Sequence, residues 1–87
     1  MADKNKKKVI LYALSTCVWC RKTKNLLNQL KVDYQCFDVD LLKNEEREKV
    51  ISEMKKYNPQ LSFPTLVIDE DLVIIGYDEQ KIKKELT

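Results

Sequence analysis

Residues 9–14, Val-Ile-Leu-Tyr-Ala-Leu, form a short apolar run rich in β-formers at its start, and helical spacing takes over within a few residues. Thr23, Leu26, Leu27 and Leu30 fall at i, i+3, i+4 and i+7, one face of a helix, with Arg21, Lys22, Lys24 and Asn25 on the other side. That helix is expected from near Cys17 to near Lys31, followed by a second strand from Tyr34 to Val39. A strand, a helix and a strand in immediate succession leave few options. The expected result is a right-handed crossover with the two strands parallel in one sheet.

The rest of the chain extends that unit. Asn44 is placed to cap a second helix, with Glu45 and Glu46 in the first turn, where the helix dipole favours negative charge. Val50, Ile51, Met54 and Tyr57 give its apolar stripe, and Asn58-Pro59 stops it. Thr65–Ile68 and Leu72–Ile75 read as two strands joined through Asp69-Glu70-Asp71. That spacing suits an antiparallel hairpin, although the usual turn glycine is missing. Gly76 closes the last strand, and Asp78 caps a final helix carrying Ile82 and Leu86. The expected order is β-α-β-α-β-β-α, an α/β fold with a four-stranded mixed sheet flanked by helices. With 87 residues this is one domain with a thin core, read as a basic N-terminal tail over residues 1–8 and a folded domain over 9–87.

Charge and hydropathy narrow the setting. A net charge of +2 is too small to point to nucleic acid or a membrane, and Lys4, Lys6, Lys7 and Lys8 read as a solvated tail rather than a nucleic-acid arm. No apolar run approaches the ~20 residues of a membrane span. The run at 9–14 is too short for a signal segment with its cleavage site. The expectation is a cytoplasmic monomer, in a compartment where thiols are kept reduced.

Cys17-Val18-Trp19-Cys20 lies where the first strand gives way to the first helix. The first N–H groups of a helix have no internal partner and carry the positive end of its dipole, so a thiolate there is stabilised. The pKa of Cys17 should therefore fall below that of a free thiol, with Arg21, Lys22 and Lys24 adding positive charge. Cys20, one turn further in, is within reach to resolve a mixed disulfide that Cys17 forms. A zinc site needs four ligands, and the chain has no histidine and one further cysteine, Cys36. Two chains could instead share a metal or iron–sulfur cluster through paired motifs. A structural disulfide closing so short a loop removes little chain entropy. Cys36, within the second strand, reads as a packing residue. A Cys-x-x-Cys alone is a moderate signal, and at the strand–helix junction of a βαβ unit it becomes a strong one.

Three further features bear on the site. Pro64 opens the third strand, and since only about 5–6% of X–Pro bonds are cis, local sequence alone makes Phe63-Pro64 trans. Trp19 on the first helical turn reads as contact surface. Free N–H groups beyond Gly76-Tyr77-Asp78 could hold a carboxylate.

Taken together, Ile10-Leu11-Tyr12, Thr16-Cys17-Val18-Trp19-Cys20-Arg21-Lys22-Thr23-Lys24, Phe63-Pro64-Thr65 and Gly76-Tyr77-Asp78 give a chain that, over nearly all of residues 8–87, resembles a glutaredoxin, a family with the thioredoxin-like fold. The resemblance implies a protein-disulfide reductase cycling between the Cys17/Cys20 dithiol and its disulfide, acting in electron transport and cell redox homeostasis. It implies a cis Pro64. It also implies a substrate groove formed by Trp19, Phe63, Pro64, Thr65, Gly76, Tyr77 and Asp78, in which the Phe63 backbone pairs with an extended peptide or glutathione. Disulfide-containing proteins are the implied substrates, glutathione or thioredoxin reductase the implied electron donor, and no cofactor is held. Three positions depart from the family pattern: Val18 replaces a proline, Leu14 stands where many members place a carboxylate-binding lysine, and Gly76 stands where a Gly-Gly pair is usual. Glutathione binding is expected to suffer. Two other classes of function remain in view: a cluster-binding dimer joined through the Cys-x-x-Cys motifs, and a non-redox adaptor that would survive loss of both cysteines.

Overall fold

The computed structural model describes residues 8–86, so the expected basic tail lies, apart from Lys8, outside the described residues. The elements are β1 (Val9–Ala13), α1 (Val18–Gln29), β2 (Gln35–Asp38), α2 (Asn44–Lys55), β3 (Thr65–Ile68), β4 (Leu72–Ile75) and α3 (Glu79–Leu86), with one 3-10 turn at Val39–Leu41. This is the expected order. The sheet runs β2-β1-β3-β4. β1 is parallel to β2, with Leu11 opposite Cys36, and antiparallel to β3, with Leu11 opposite Leu66; β3 and β4 form the antiparallel hairpin.

Strand β1 is central, and its alternation divides the core in two. Val9, Leu11 and Ala13 pack with Leu26 and Leu27 of α1 and Ile82 of α3. Tyr12 joins Val50 and Met54 of α2, with Val67 of β3. Both faces of β1 and β3 are thus covered by helices, which is why these strands read as continuous apolar runs rather than as alternating ones.

The differences from expectation cluster where the chain turns without glycine. α1 ends at Gln29, two residues early. Lys31 takes a left-handed φ of 57°, its N–H reaching the Asn28 carbonyl while Val32 N–H reaches that of Leu27. This is the Schellman closure usually built on glycine. Asn44 does not cap α2 through its side chain. Lys43 is the cap residue, with no side-chain bond, and Asn44 is the first helical residue at φ 51°. The second strand stops at Asp38, because Val39 already belongs to the 3-10 turn. In the β3–β4 turn Asp69 and Glu70 both have positive φ, 53° and 65°. With Asp71 N–H donating to Ile68 O at 3.3 Å, they form a tight turn of the primed kind within the three-residue loop between Ile68 and Leu72. Asp69 offsets its conformational cost with two bonds to the start of β1, its N–H to Lys8 O at 2.7 Å and its carboxylate to Lys8 N–H at 2.8 Å.

The segment from α2 to β3 is anchored from below. Asn58, expected only to help stop a helix, is 1% exposed. Its amide nitrogen donates to Thr65 Oγ1 at 2.9 Å and to Ser62 Oγ at 2.9 Å, while its Oδ1 accepts from Gln60 N–H at 3.2 Å. Thr65 Oγ1 in turn donates to Ser62 O at 2.8 Å. The Phe63-Pro64 bond held over this network is cis, against the expectation from local sequence and in line with the family resemblance.

Replacing Asn58 with Ala would remove the donor to the buried Thr65 hydroxyl and to the half-buried Ser62. An unsatisfied buried group costs about 1–3 kcal/mol. Asn58→Ala is therefore expected to lower unfolding free energy by about 2 kcal/mol or more. Urea denaturation checks this, and an unchanged midpoint would show that the network does not hold the segment.

Candidate active site around Cys17 and Cys20

Cys17 is the N-cap of α1, extended at φ −83° and ψ 122°. Its N–H reaches back to Leu14 O at 3.2 Å, and its carbonyl accepts from Arg21 N–H at 3.0 Å, the first bond of the helix. The cap position usually falls to an oxygen-bearing side chain. Here the cap is sulfur: Cys17 Sγ accepts from Cys20 N–H at 3.3 Å. Cys17 is partly exposed, whereas Cys20 is 0% exposed, its Sγ accepting from Leu14 N–H at 3.5 Å.

The two thiols are driven apart by these surroundings. Partial burial pushes the Cys17 thiol up, but hydrogen bonds from the Cys20 thiol and from the Cys20 and Trp19 N–H groups together outweigh it, and the net direction is down. Burial pushes the Cys20 thiol up to about 12, reinforced by the proton it shares with Cys17. The expected help from cations is smaller than the sequence suggested. Lys24 Nζ is bonded to Asp38 at 2.9 Å, and Lys22 Nζ sits 4.8 Å from the Trp19 ring centroid. Hydrogen bonds, not lysines, depress Cys17.

Trp19 is 54% exposed and stacks on Tyr77, with ring centroids 5.9 Å apart. With Phe63, Pro64 and Gly76 these two rings line a cavity of about 280 Å³. Gly76, at φ 83°, closes its floor by donating its N–H to Pro64 O at 2.8 Å. Five of the seven groove residues expected from the resemblance therefore meet in one place. Thr65 does not line the cavity; it is buried beneath, with its hydroxyl committed to Ser62. Asp78 is exposed and caps α3, its Oδ1 accepting from Lys81 N–H at 3.1 Å.

Two features carried no signal in the sequence. Asp40, just past β2, clamps the turn before Cys17, accepting from Ser15 N–H at 2.9 Å and from its hydroxyl at 2.5 Å. These bonds hold the Asp40 carboxyl below its ordinary value. Beside this clamp is a second cavity of about 380 Å³, lined by Leu14, Ile51, Leu61 and Phe63 among others. A larger cavity, about 500 Å³ over Ile10, Tyr12 and Phe37, touches neither Cys17 nor Cys20. Cys36 is half-buried on β2, and burial pushes its thiol up. Among the described residues no group of three or more His, Cys, Asp or Glu side chains could hold a metal ion.

Comparison with known proteins agrees with this geometry. The glutaredoxin family model matches residues 9–73. An uncharacterized glutaredoxin-like 8.6 kDa protein in the rubredoxin operon of Clostridium pasteurianum is 33% identical over 75 residues, 85% of this chain and 91% of that one. Glutaredoxin 1 of Rickettsia prowazekii is 38% identical over 61 residues, 70% of this chain and 61% of that protein's length. Among solved structures, the methanoredoxin of Methanosarcina acetivorans superposes with a TM-score of 0.89 at 43% identity, covering 93% of this chain and 85% of that one. The glutaredoxin of Methanosarcina mazei Go1 gives 0.84 at 47% identity, covering 91% and 77%.

The separated thiols lead to a labelling experiment. Only the thiolate alkylates. Iodoacetamide on the reduced protein is expected to label Cys17 first, with a rate that rises with pH about a midpoint below 9, the ordinary thiol value. Cys20 should stay unlabelled in the native protein at pH 8. Peptide mapping would contradict the assignment if Cys20 reacted first, or if the Cys17 profile had its midpoint above 9.

Proposed function

We propose, because the chain belongs to the glutaredoxin family, that it is a dithiol–disulfide oxidoreductase that reduces protein disulfides through Cys17 and Cys20. The observation that carries this reading is the sulfur-capped helix, with a partly exposed, depressed thiol in front and a buried, raised thiol behind it. The Cys17 thiolate attacks one sulfur of the substrate disulfide, and that S–S bond breaks as a new one forms to Cys17. The departing substrate thiolate takes a proton from solvent. Cys20 then loses its proton and attacks Cys17 Sγ, releasing the second substrate thiol and leaving a Cys17–Cys20 disulfide. Two electrons have passed to the substrate, and an external thiol donor returns them.

Part of what raises Cys20 is the hydrogen bond and like charge of Cys17. Once Cys17 Sγ is bonded to substrate, neither remains. The resolving thiol is therefore easier to ionise in the mixed disulfide, the only state in which it must act.

The uncharged residue at position 14 supports one donor over the other. Leu14 offers no charge to a glutathione carboxylate, and a lost charge-assisted hydrogen bond costs about 1.5–3 kcal/mol, or roughly 10- to 150-fold in affinity. The cycle is therefore served by a dithiol donor of the thioredoxin reductase kind in preference to glutathione. The working form is a cytoplasmic monomer.

Two experiments test these readings. Cys17→Ser should abolish turnover of a protein disulfide, while Cys20→Ser should accumulate a substrate adduct on Cys17, visible by intact mass; adducts on Cys17→Ser alone would reverse the roles. For the donor, Leu14→Lys should tighten use of a glutathione mixed disulfide by roughly tenfold or more. Tight glutathione use by the wild type, unchanged in Leu14→Lys, would overturn the donor preference.

A further inference from the structure

Trp19 and Tyr77 line one groove near the cysteines, and Leu14 lines a second cavity of about 380 Å³. Phe63 is a wall of both. We infer that this second cavity seats an apolar side chain of the polypeptide being reduced, the residue next to the substrate cysteine. The inference rests on the disulfide-reductase reading above and adds a substrate class to it.

Position supports this first. The cavity is lined by Leu14, whose carbonyl accepts the Cys17 N–H at 3.2 Å, and by Phe63, which also lines the groove beside Trp19, so it adjoins the cysteine motif. An extended peptide advances about 3.3 Å per residue. A chain with its cysteine over Cys17 and its backbone along Phe63 therefore presents a neighbouring side chain to this opening.

The lining supports it second. Leu14, Val39, Ile51, Met54, Leu61 and Phe63 supply walls of carbon and sulfur. The two charged groups at the edge, Asp40 and Arg47, face each other electrostatically, and both Asp40 oxygens are already bonded to Ser15. A neutral polar side chain entering here would give up water and find the Asp40 oxygens already bonded, while an apolar one gains by leaving water. The volume falls in the roughly 300–1,000 Å³ range of small-ligand sites, ample for one large side chain.

The test uses short capped peptides with a single cysteine, linked as mixed disulfides to the chromophore thionitrobenzoate. Leu, Phe, Ser or Asp is placed on either side of the cysteine. With the wild-type protein, kcat/KM for Leu and Phe should exceed that for Ser and Asp by roughly tenfold or more on one side of the cysteine, mostly through KM. In Leu14→Ser and in Ile51→Asn the Leu-to-Ser ratio should fall toward one, whatever the absolute rates. Equal use of all four residues would overturn the inference, as would a preference for Asp, which would point to Arg47. A Leu preference that survives in both variants would overturn it too. Bis(2-hydroxyethyl) disulfide separates the two readings: if the wild type reduces neither it nor any peptide, the reductase reading falls and takes the pocket with it. If it reduces all of them alike, only the pocket assignment falls.

Discussion

The hydrogen bond from Cys20 N–H to Cys17 Sγ caps the first helix and is one of the bonds that lower the thiol proposed as nucleophile. Most helices meet this need with an oxygen that has no further task. Here the acceptor is the reacting atom, so the donors that stabilise the helix start also stabilise the thiolate. Folding and chemistry share one geometry, and it depends on where β1 stops. Ala13 ends the strand, Leu14 turns the chain, and Leu14 then uses its carbonyl on Cys17 N–H and its N–H on Cys20 Sγ. One residue thereby holds both ends of the motif.

The remaining walls of the site come from distant parts of the chain and are fixed by polar clamps. Asp40 ties the turn at Ser15 to the end of β2. Asn58 ties the end of α2 to Ser62 and Thr65, beneath Phe63 and Pro64. Gly76 ties the end of β4 to Pro64. Each clamp uses backbone groups that a loop would otherwise leave for water, and each fixes a wall. A thin core can support a defined groove in this way, because satisfied buried polar groups specify one arrangement where apolar packing alone tolerates several.

Elements were legible in the sequence where burial wrote them. β1 and β3 are covered on both faces and appear as unbroken apolar runs; the stripe of Thr23, Leu26 and Leu27 appears because α1 is covered on one face only. The cysteine pair was legible for a related reason, since its spacing and its place between strand and helix are both local. What escaped was non-local or conformational. Asn58 acts on Thr65 and Asp40 on Ser15, and no neighbour in sequence announces either bond. Lys31, Asp69 and Glu70 take left-handed turns that local chemistry assigns to glycine, with tertiary bonds such as those from Asp69 to Lys8 offsetting the cost. Leu14 was noticed for the charge it lacks; that it also forms the wall of a cavity needed Ile51 and Leu61 to be brought beside it.

A buried thiol raised to about 12 looks at first like a poor resolving group. At neutral pH such a thiol is almost wholly protonated. Well-oriented intramolecular groups, however, react as though present at roughly 10⁵–10⁸ M, against the millimolar concentrations available to an external thiol. Placement therefore outweighs the scarcity of thiolate. Two effects help further. A thiolate of higher pKa is the stronger nucleophile once formed, and the Cys17 charge that suppresses Cys20 disappears when Cys17 is bonded to substrate. The same burial that keeps Cys20 silent in the reduced protein thus costs little in the mixed disulfide. On the proposed reading, a site built this way would complete its exchange internally before an external thiol such as glutathione could intervene.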